Sequence, residues 1–175
     1  LFLNFARLVH KEATQAVFHK KWQHLGPFIA PSLTDDLYRS YASVDQITHT
    51  VEGPTDVIHA KHRNGYTLIK VRFLSIHKQH NEFGNAKWVE TQEEWGFRRV
   101  VGATSLSPDR MEGLCCPKCG NPWDSQSTDE ACAICYENVG GGRYQWQAVY
   151  ATVQVIRGAD RMFMPIGSGD QNSVS

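Results

Sequence analysis

The chain has no surplus charge of either sign: 18 Lys plus Arg residues balance 18 Asp plus Glu, for a formal net charge of zero. Proteins whose main task is binding polyanions carry a basic surplus, so that class is disfavoured, local patches aside. Long apolar runs are also missing. Nothing approaches the ~18–20 consecutive apolar residues of a spanning helix, so the sequence predicts no transmembrane segment. Gly140-Gly141-Gly142 runs into Arg143-Tyr144 rather than Lys-Ser or Lys-Thr, and opens no helix, which removes it as a phosphate cradle. There is no Ser-His-Asp or metal-hydrolase pattern and no internal repeat. The chain opens Leu1-Phe2-Leu3 without a methionine or a signal-peptide pattern, and reads as a fragment or processed product. Cysteine is absent outside one short stretch: all 5 lie between Cys115 and Cys135. Such clustering points to a metal site more than to a disulfide framework, which would also need an oxidising compartment.

What is present suits one ordinary domain with a small appended module. The 175 residues are 41% hydrophobic and 21% charged, which is globular rather than disordered or fibrous. Over residues 1–25, Phe2, Phe5, Ala6, Val9, Ala13, Ala16 and Val17 recur at helical intervals, and Gly26-Pro27 is the expected stop. A second helix is expected around Leu33 to Tyr41, started by Ser32 or Thr34 as cap. From Val44 the pattern changes to strands. Gly53-Pro54 and Asn64-Gly65 read as turns, the second as a tight hairpin. In the next strand Ile69, Val71 and Phe73 share one face and Lys70 and Arg72 the other, with a bulge or a change of covering layer expected near Leu74 and Ile76. Asn81 to Asn85 reads as a turn, Lys87 to Val101 as a long strand or a bent pair of strands, and Arg143 to Ile156 as the last strand. Helices followed by an antiparallel sheet make an α+β fold, with the cysteine segment as an excursion between late strands. The expected division is an α+β domain over 1–112 and 139–164, an inserted zinc ribbon over 113–138 and a polar tail over 165–175.

Cys116-Pro117-Lys118-Cys119 and Cys132-Ala133-Ile134-Cys135 are two C-x-x-C pairs. Each pair can wrap a knuckle that aims both thiolates at one ion, and four thiolates make a closed structural Zn2+ site. Only Cys116 completes the first pair, so Cys115 is expected to be a small buried neighbour. Between Gly113 and Asn138 one base, Lys118, faces Asp124, Asp129, Glu130 and Glu137. An acidic ribbon is a poor nucleic-acid binder, and bracing the sheet or docking to a protein suits it better.

Three functional readings compete. Arg7, Lys11, Lys20 and Lys21 on the first helix, against Glu12 alone, favour a contact with anionic lipid or an acidic partner. An enzyme or small-ligand binder could draw on His59, His62, His77 and His80 with Asp56, Glu90, Glu93 or Glu94. Neither histidine pair has alternation spacing, so exposed histidines on hairpins are the plainer expectation. A nucleic-acid or ribosome contact could use Lys61, Arg63, Lys70, Arg72 and Lys78, a stretch with no acid. Aromatics are not interleaved with those cations, so a solvated sheet face is favoured. Trp88, Trp95, Tyr144 and Trp146 read as core rather than a ligand cage.

Residues Ala16 to Tyr38, the strand Glu93-Glu94-Trp95-Gly96-Phe97-Arg98-Arg99, and the ribbon with its Gly-rich turn and Tyr144-x-Trp146 pair carry a resemblance. Together they resemble the inner-membrane-translocase subunit forty-four-like family, in its bacterial members with an inserted zinc ribbon. Cys135 lacks the glycine that usually follows the second knuckle. The resemblance implies a cone-like fold related to nuclear transport factor two, with helices packed into a curved antiparallel sheet. Mitochondrial relatives anchor an import motor at the membrane and contact lipid. The role implied here is a non-catalytic interaction or tethering domain, membrane-associated on a reducing side, at a membrane surface or in a membrane-associated protein complex.

Overall fold

A computed structural model describes residues 1–104, 114–123 and 130–158. In chain order it has α1 (Phe2–His19), a 3-10 helix (Gln23–Phe28), α2 (Pro31–Ser40), β1 (Gln46–Arg63), β2 (Tyr66–His80), β3 (Ala86–Val100) and β4 (Gln147–Gly158). The fold is α+β: the strands form one open antiparallel sheet in the order β1-β2-β3-β4. Among the described residues no helix is long and apolar enough to cross a membrane. The expected tail over 165–175 and most of the connector before the cysteines lie outside the described residues.

The periodicity of α1 puts Ala6, Val9, Ala13, Ala16 and Val17 on its buried face. The helix stops sooner than Gly26-Pro27. Lys20 adopts the left-handed conformation (φ 56°), and its N–H bonds to the Ala16 carbonyl to close the last turn. Pro27, which has no amide hydrogen for a longer helix, sits inside the short 3-10 turn instead. In α2 the start signal is Pro31 at the first turn, where a missing N–H costs nothing. The expected caps do not cap. Ser32 donates its hydroxyl to the Val149 carbonyl at 2.5 Å, and Asp36 accepts the Ala151 N–H at 3.1 Å. With Ala30 N–H on the Ala148 carbonyl at 2.8 Å, these bonds cover the otherwise open edge of β4.

Asn64 and Gly65 both have positive φ (51° and 77°) and form the expected tight β1–β2 hairpin. Gly53-Pro54 is not a turn. β1 continues through it, and the pairing shifts register between Glu52 and Thr55. β1 is an edge strand, so a proline at a bulge forfeits little of the ladder. The bulge or change of covering layer expected in β2 is likewise absent, since burial alternates without a break from Val71 to Gln79. β2 pairs with β3 in unbroken register from Tyr66↔Val100 to His80↔Ala86, and the irregularities fall in the facing β1.

Alternation gives the sheet a helix-facing side. Val71 and Phe73 on β2 and Trp95 and Phe97 on β3 join Leu25, Phe28, Leu33 and Leu37 in the main core. Fully burying each such side chain contributes roughly 1.5–3 kcal/mol. Farther along the same face the alternation carries polar residues inward: Ser75, His77 and Gln79 on β2, Thr91 and Glu93 on β3. The cysteine segment lies between β3 and β4. Its exit is bound to β3 through Val100 N–H on the Gly142 carbonyl (2.8 Å) and Arg99 Nε on the Tyr144 carbonyl (3.0 Å). Glycine is required at 142: φ is 78°, and a Cβ would lie 2.9 Å from the Arg98 carbonyl oxygen.

Candidate functional site

The structure brings Cys116, Cys119, Cys132 and Cys135 together, with all four Sγ atoms within 4.8 Å of one another. Cys116–Cys135 and Cys119–Cys132 are 3.9 and 3.8 Å apart. A tetrahedral ion with ~2.3 Å bonds to sulfur sets edges of roughly 3.8 Å, whereas a disulfide needs ~2.05 Å. The donor set and its spacing therefore fit a metal and are compatible with zinc. Cys115 is outside the cluster and half-buried, not buried as expected. It makes an isolated bridge with Pro122, as Ala131 does with Asn138.

The two knuckles repeat one another. Cys116 N–H bonds to the Asn121 carbonyl (2.8 Å) and Gly120 N–H to the Cys116 carbonyl (2.9 Å). Cys132 N–H bonds to Glu137 (3.0 Å) and Tyr136 N–H to Cys132 (2.9 Å) in the same pattern. Where the first knuckle has Gly120 at φ 79°, the second forces Tyr136 to φ 57°. The missing glycine thus changes the cost of the turn and not its shape. Asn121 Nδ2 and Ile134 N–H donate to the sulfurs of Cys119 and Cys132 at 3.3 and 3.4 Å. Slight burial opposes ionisation of Cys119, but the side-chain and backbone N–H groups of Asn121 outweigh it and bring the thiol down to about 7. Burial pushes Cys116 up to about 12. Buried Trp123 and Val139 pack beside these cysteines, and Lys118 Nζ pairs with Glu137 at 2.7 Å.

The acid–base candidates scatter. His59, His62 and Asp56 are exposed on β1. Glu94 is engaged by Lys70 (3.3 Å) and Arg72 (3.6 Å), so two cations of the basic sheet face are paired with an acid from β3. Lys61 and Arg63 are exposed, while Lys78, Glu90 and Trp88 are half-buried. His77 and His80 do face opposite sides of β2. His80 contacts the Thr48 hydroxyl at 2.8 Å. His77, however, is not an exposed hairpin histidine: it is 2% exposed, as is Glu93. Of the aromatics, Trp95 is fully buried and Trp146 packs on the main core, while Tyr144 packs against the cysteine cluster.

A polar cluster surrounds Glu93, and sequence reasoning missed most of it. Glu93 Oε2 accepts Trp95 Nε1–H (2.7 Å) and meets His10 Nε2 (3.1 Å), while Oε1 accepts the Tyr41 hydroxyl (2.8 Å). Burial alone would raise this carboxyl. The charge and hydrogen bond of His10, with the Trp95 and Tyr41 donors, reverse that and hold it below the usual range. Burial lowers His77, which lies between the Ser75 hydroxyl (3.3 Å) and Gln79 Nε2 (3.0 Å). The available signal for His10 was its position beside the apolar stripe of α1, but Glu93 is 83 residues away.

The four basic residues expected to make a contact are all exposed. Arg7 and Lys11 border a cavity between α1 and the sheet, and Arg7 Nε donates to Thr55 Oγ1 at 3.2 Å. Lys20 and Lys21 lie just past the end of α1. No family model matches the chain, and searches of curated proteins and of solved structures return no match.

Proposed function

We propose that this chain is a non-catalytic interaction or tethering domain whose inserted zinc ribbon is held by Cys116, Cys119, Cys132 and Cys135. The observation that carries it is the closed four-sulfur cluster. Zinc so bound would supply a structural cross-link, with no fifth position for water or substrate. The residues around it support bracing: Asn121 and Ile134 donate to the sulfurs, and Gly142 and Tyr144 fasten the ribbon's exit to the end of β3. Folding the ribbon would therefore set where the chain enters β4.

The tethering role rests on exposed Arg7, Lys11, Lys20 and Lys21 and on the resemblance to the translocase-subunit family, whose cone-like fold suits helices on one face of a sheet. The partner is an anionic membrane surface or a membrane-associated complex on a reducing side. Each base near an anionic surface contributes ~1 kcal/mol or less within a Debye length of ~8 Å, so adhesion is reversible and salt-sensitive. Co-sedimentation with phosphatidylserine vesicles at low and high salt tests this. Binding should need anionic lipid and weaken when Lys20 and Lys21 are changed to Glu; no binding even at low salt removes the membrane and leaves a protein partner.

A further inference from the structure

Between α1 and the inner side of β1 and β2 lies a cavity of about 400 Å³, inside the ~300–1,000 Å³ range of small-molecule sites. Its lining contains no residue of the cysteine segment. The Glu93 carboxylate in its wall is saturated by Trp95, Tyr41 and His10 and has little left for a ligand. Its service is to His10. With Nε2 facing Glu93, the other ring nitrogen, Nδ1, has no hydrogen-bond partner among the described residues. The ring cannot turn freely. It stacks on Phe73 (4.2 Å, 13°) and meets Trp95 at 5.0 Å and 64°.

One turn farther along α1, Thr14 also lines the cavity, and its Oγ1 is buried without a hydrogen-bond partner among the described residues. A buried hydroxyl left unpaired needs an explanation, and a ligand group supplies one. One turn before His10, Arg7 stands at the rim with Lys11, opposed there by Glu52. Arg7 spends Nε on Thr55 and Nη1 on Asn4, which leaves Nη2. Phe18, Ile47 and Phe73 give the cavity an apolar side.

We propose that this cavity binds a small amphipathic carboxylate. Its carboxylate sits at the Arg7–Lys11 rim, its apolar body lies against Phe18 and Phe73, and a hydroxyl hydrogen-bonds with His10 Nδ1 within reach of Thr14. The site is separate from the zinc ribbon and does not depend on tethering.

The test is an NMR titration of the whole 15N-labelled, metal-loaded chain with 3-(4-hydroxyphenyl)propionate. The comparison probes are 3-phenylpropionate, which lacks the hydroxyl, and 4-ethylphenol, which lacks the carboxylate. Saturable shifts at His10, Thr14, Thr55 and Ser75 are expected, with affinity falling roughly tenfold or more when either group is removed. His10→Phe keeps the aromatic stack and should erase the preference for the hydroxyl probe. Arg7→Gln with Lys11→Gln should erase the preference for the carboxylate. If His10→Phe leaves Glu93 too poorly partnered to fold, Thr14→Val, nearly the same shape, should still weaken the hydroxyl probe. No saturable shifts at these residues at millimolar probe, or equal affinity for all three probes, overturns the proposal.

Discussion

The helix-and-sheet body buries Trp95, Phe28, Phe97, Leu25, Leu33 and Leu37 completely, whereas among the described residues the cysteine segment has Trp123, Val139 and the part-buried Tyr144 to pack beside its cysteines. Helices and a sheet can each offer a continuous apolar face, so the body is held by area removed from water. The described residues of the two knuckles offer no such face. Their order comes from hydrogen bonds within each turn and from four sulfurs aimed at one point. One chain thus uses two kinds of cohesion, joined where Gly142 and Tyr144 meet the end of β3.

Removing the proposed zinc should break the comparison most sharply. Structural zinc in small modules contributes about 10–16 kcal/mol of coupled binding and folding. Protein purified without added metal should carry one zinc per chain by elemental analysis. Cys119→Ser should lose it while Cys115→Ser keeps it. Amide exchange should then show the ribbon loosened and α1, α2 and β1–β3 still protected; a metal-free chain with two disulfides is the contrary result.

The reverse experiment strikes the body. Phe97→Ala removes a fully buried ring and should cost about 3–5 kcal/mol, read as a lower urea midpoint. Zinc content at low denaturant should stay at one.

Acid should also weaken the body. His77 is held below its ordinary value by burial and Glu93 below its own chiefly by His10 against the pull of burial, so the unfolded chain binds the additional protons at both sites. Stability is therefore full above the ordinary histidine value of about 6.5 and declines as pH falls through the lowered His77 value. A second decline follows below the ordinary carboxylate value of about 4.3, through the lowered Glu93 value. Urea midpoints measured against pH should show both steps, and His77→Gln and Glu93→Gln should each flatten one.

The smallest effect sharpens the view of the knuckles. Tyr136 is 86% exposed and left-handed, so Tyr136→Gly gives up little packing and relieves about 1–2 kcal/mol of backbone strain. Zinc retention in competition with a chelator should rise by roughly fivefold to thirtyfold. Unchanged retention would mean that the turn is equally easy for both residues.

Local spacing and local chirality determined a good deal without help. The stripe through Ala6, Val9, Ala13 and Val17, the Asn64-Gly65 hairpin and the paired C-x-x-C turns depend on residues a few positions apart, so the sequence pattern already contains them. Other features were decided only by partners far along the chain. Ser32 satisfies the edge of β4 instead of capping α2, with Asp36 beside it on the same edge, and β1 runs through Gly53-Pro54 because β2 lies beside it. His10, Tyr41 and Glu93 meet because the helices lie across the sheet at that place. Sequence spacing carries no such information. A buried carboxylate is tolerable only once all its donors have arrived, and that condition belongs to the tertiary structure.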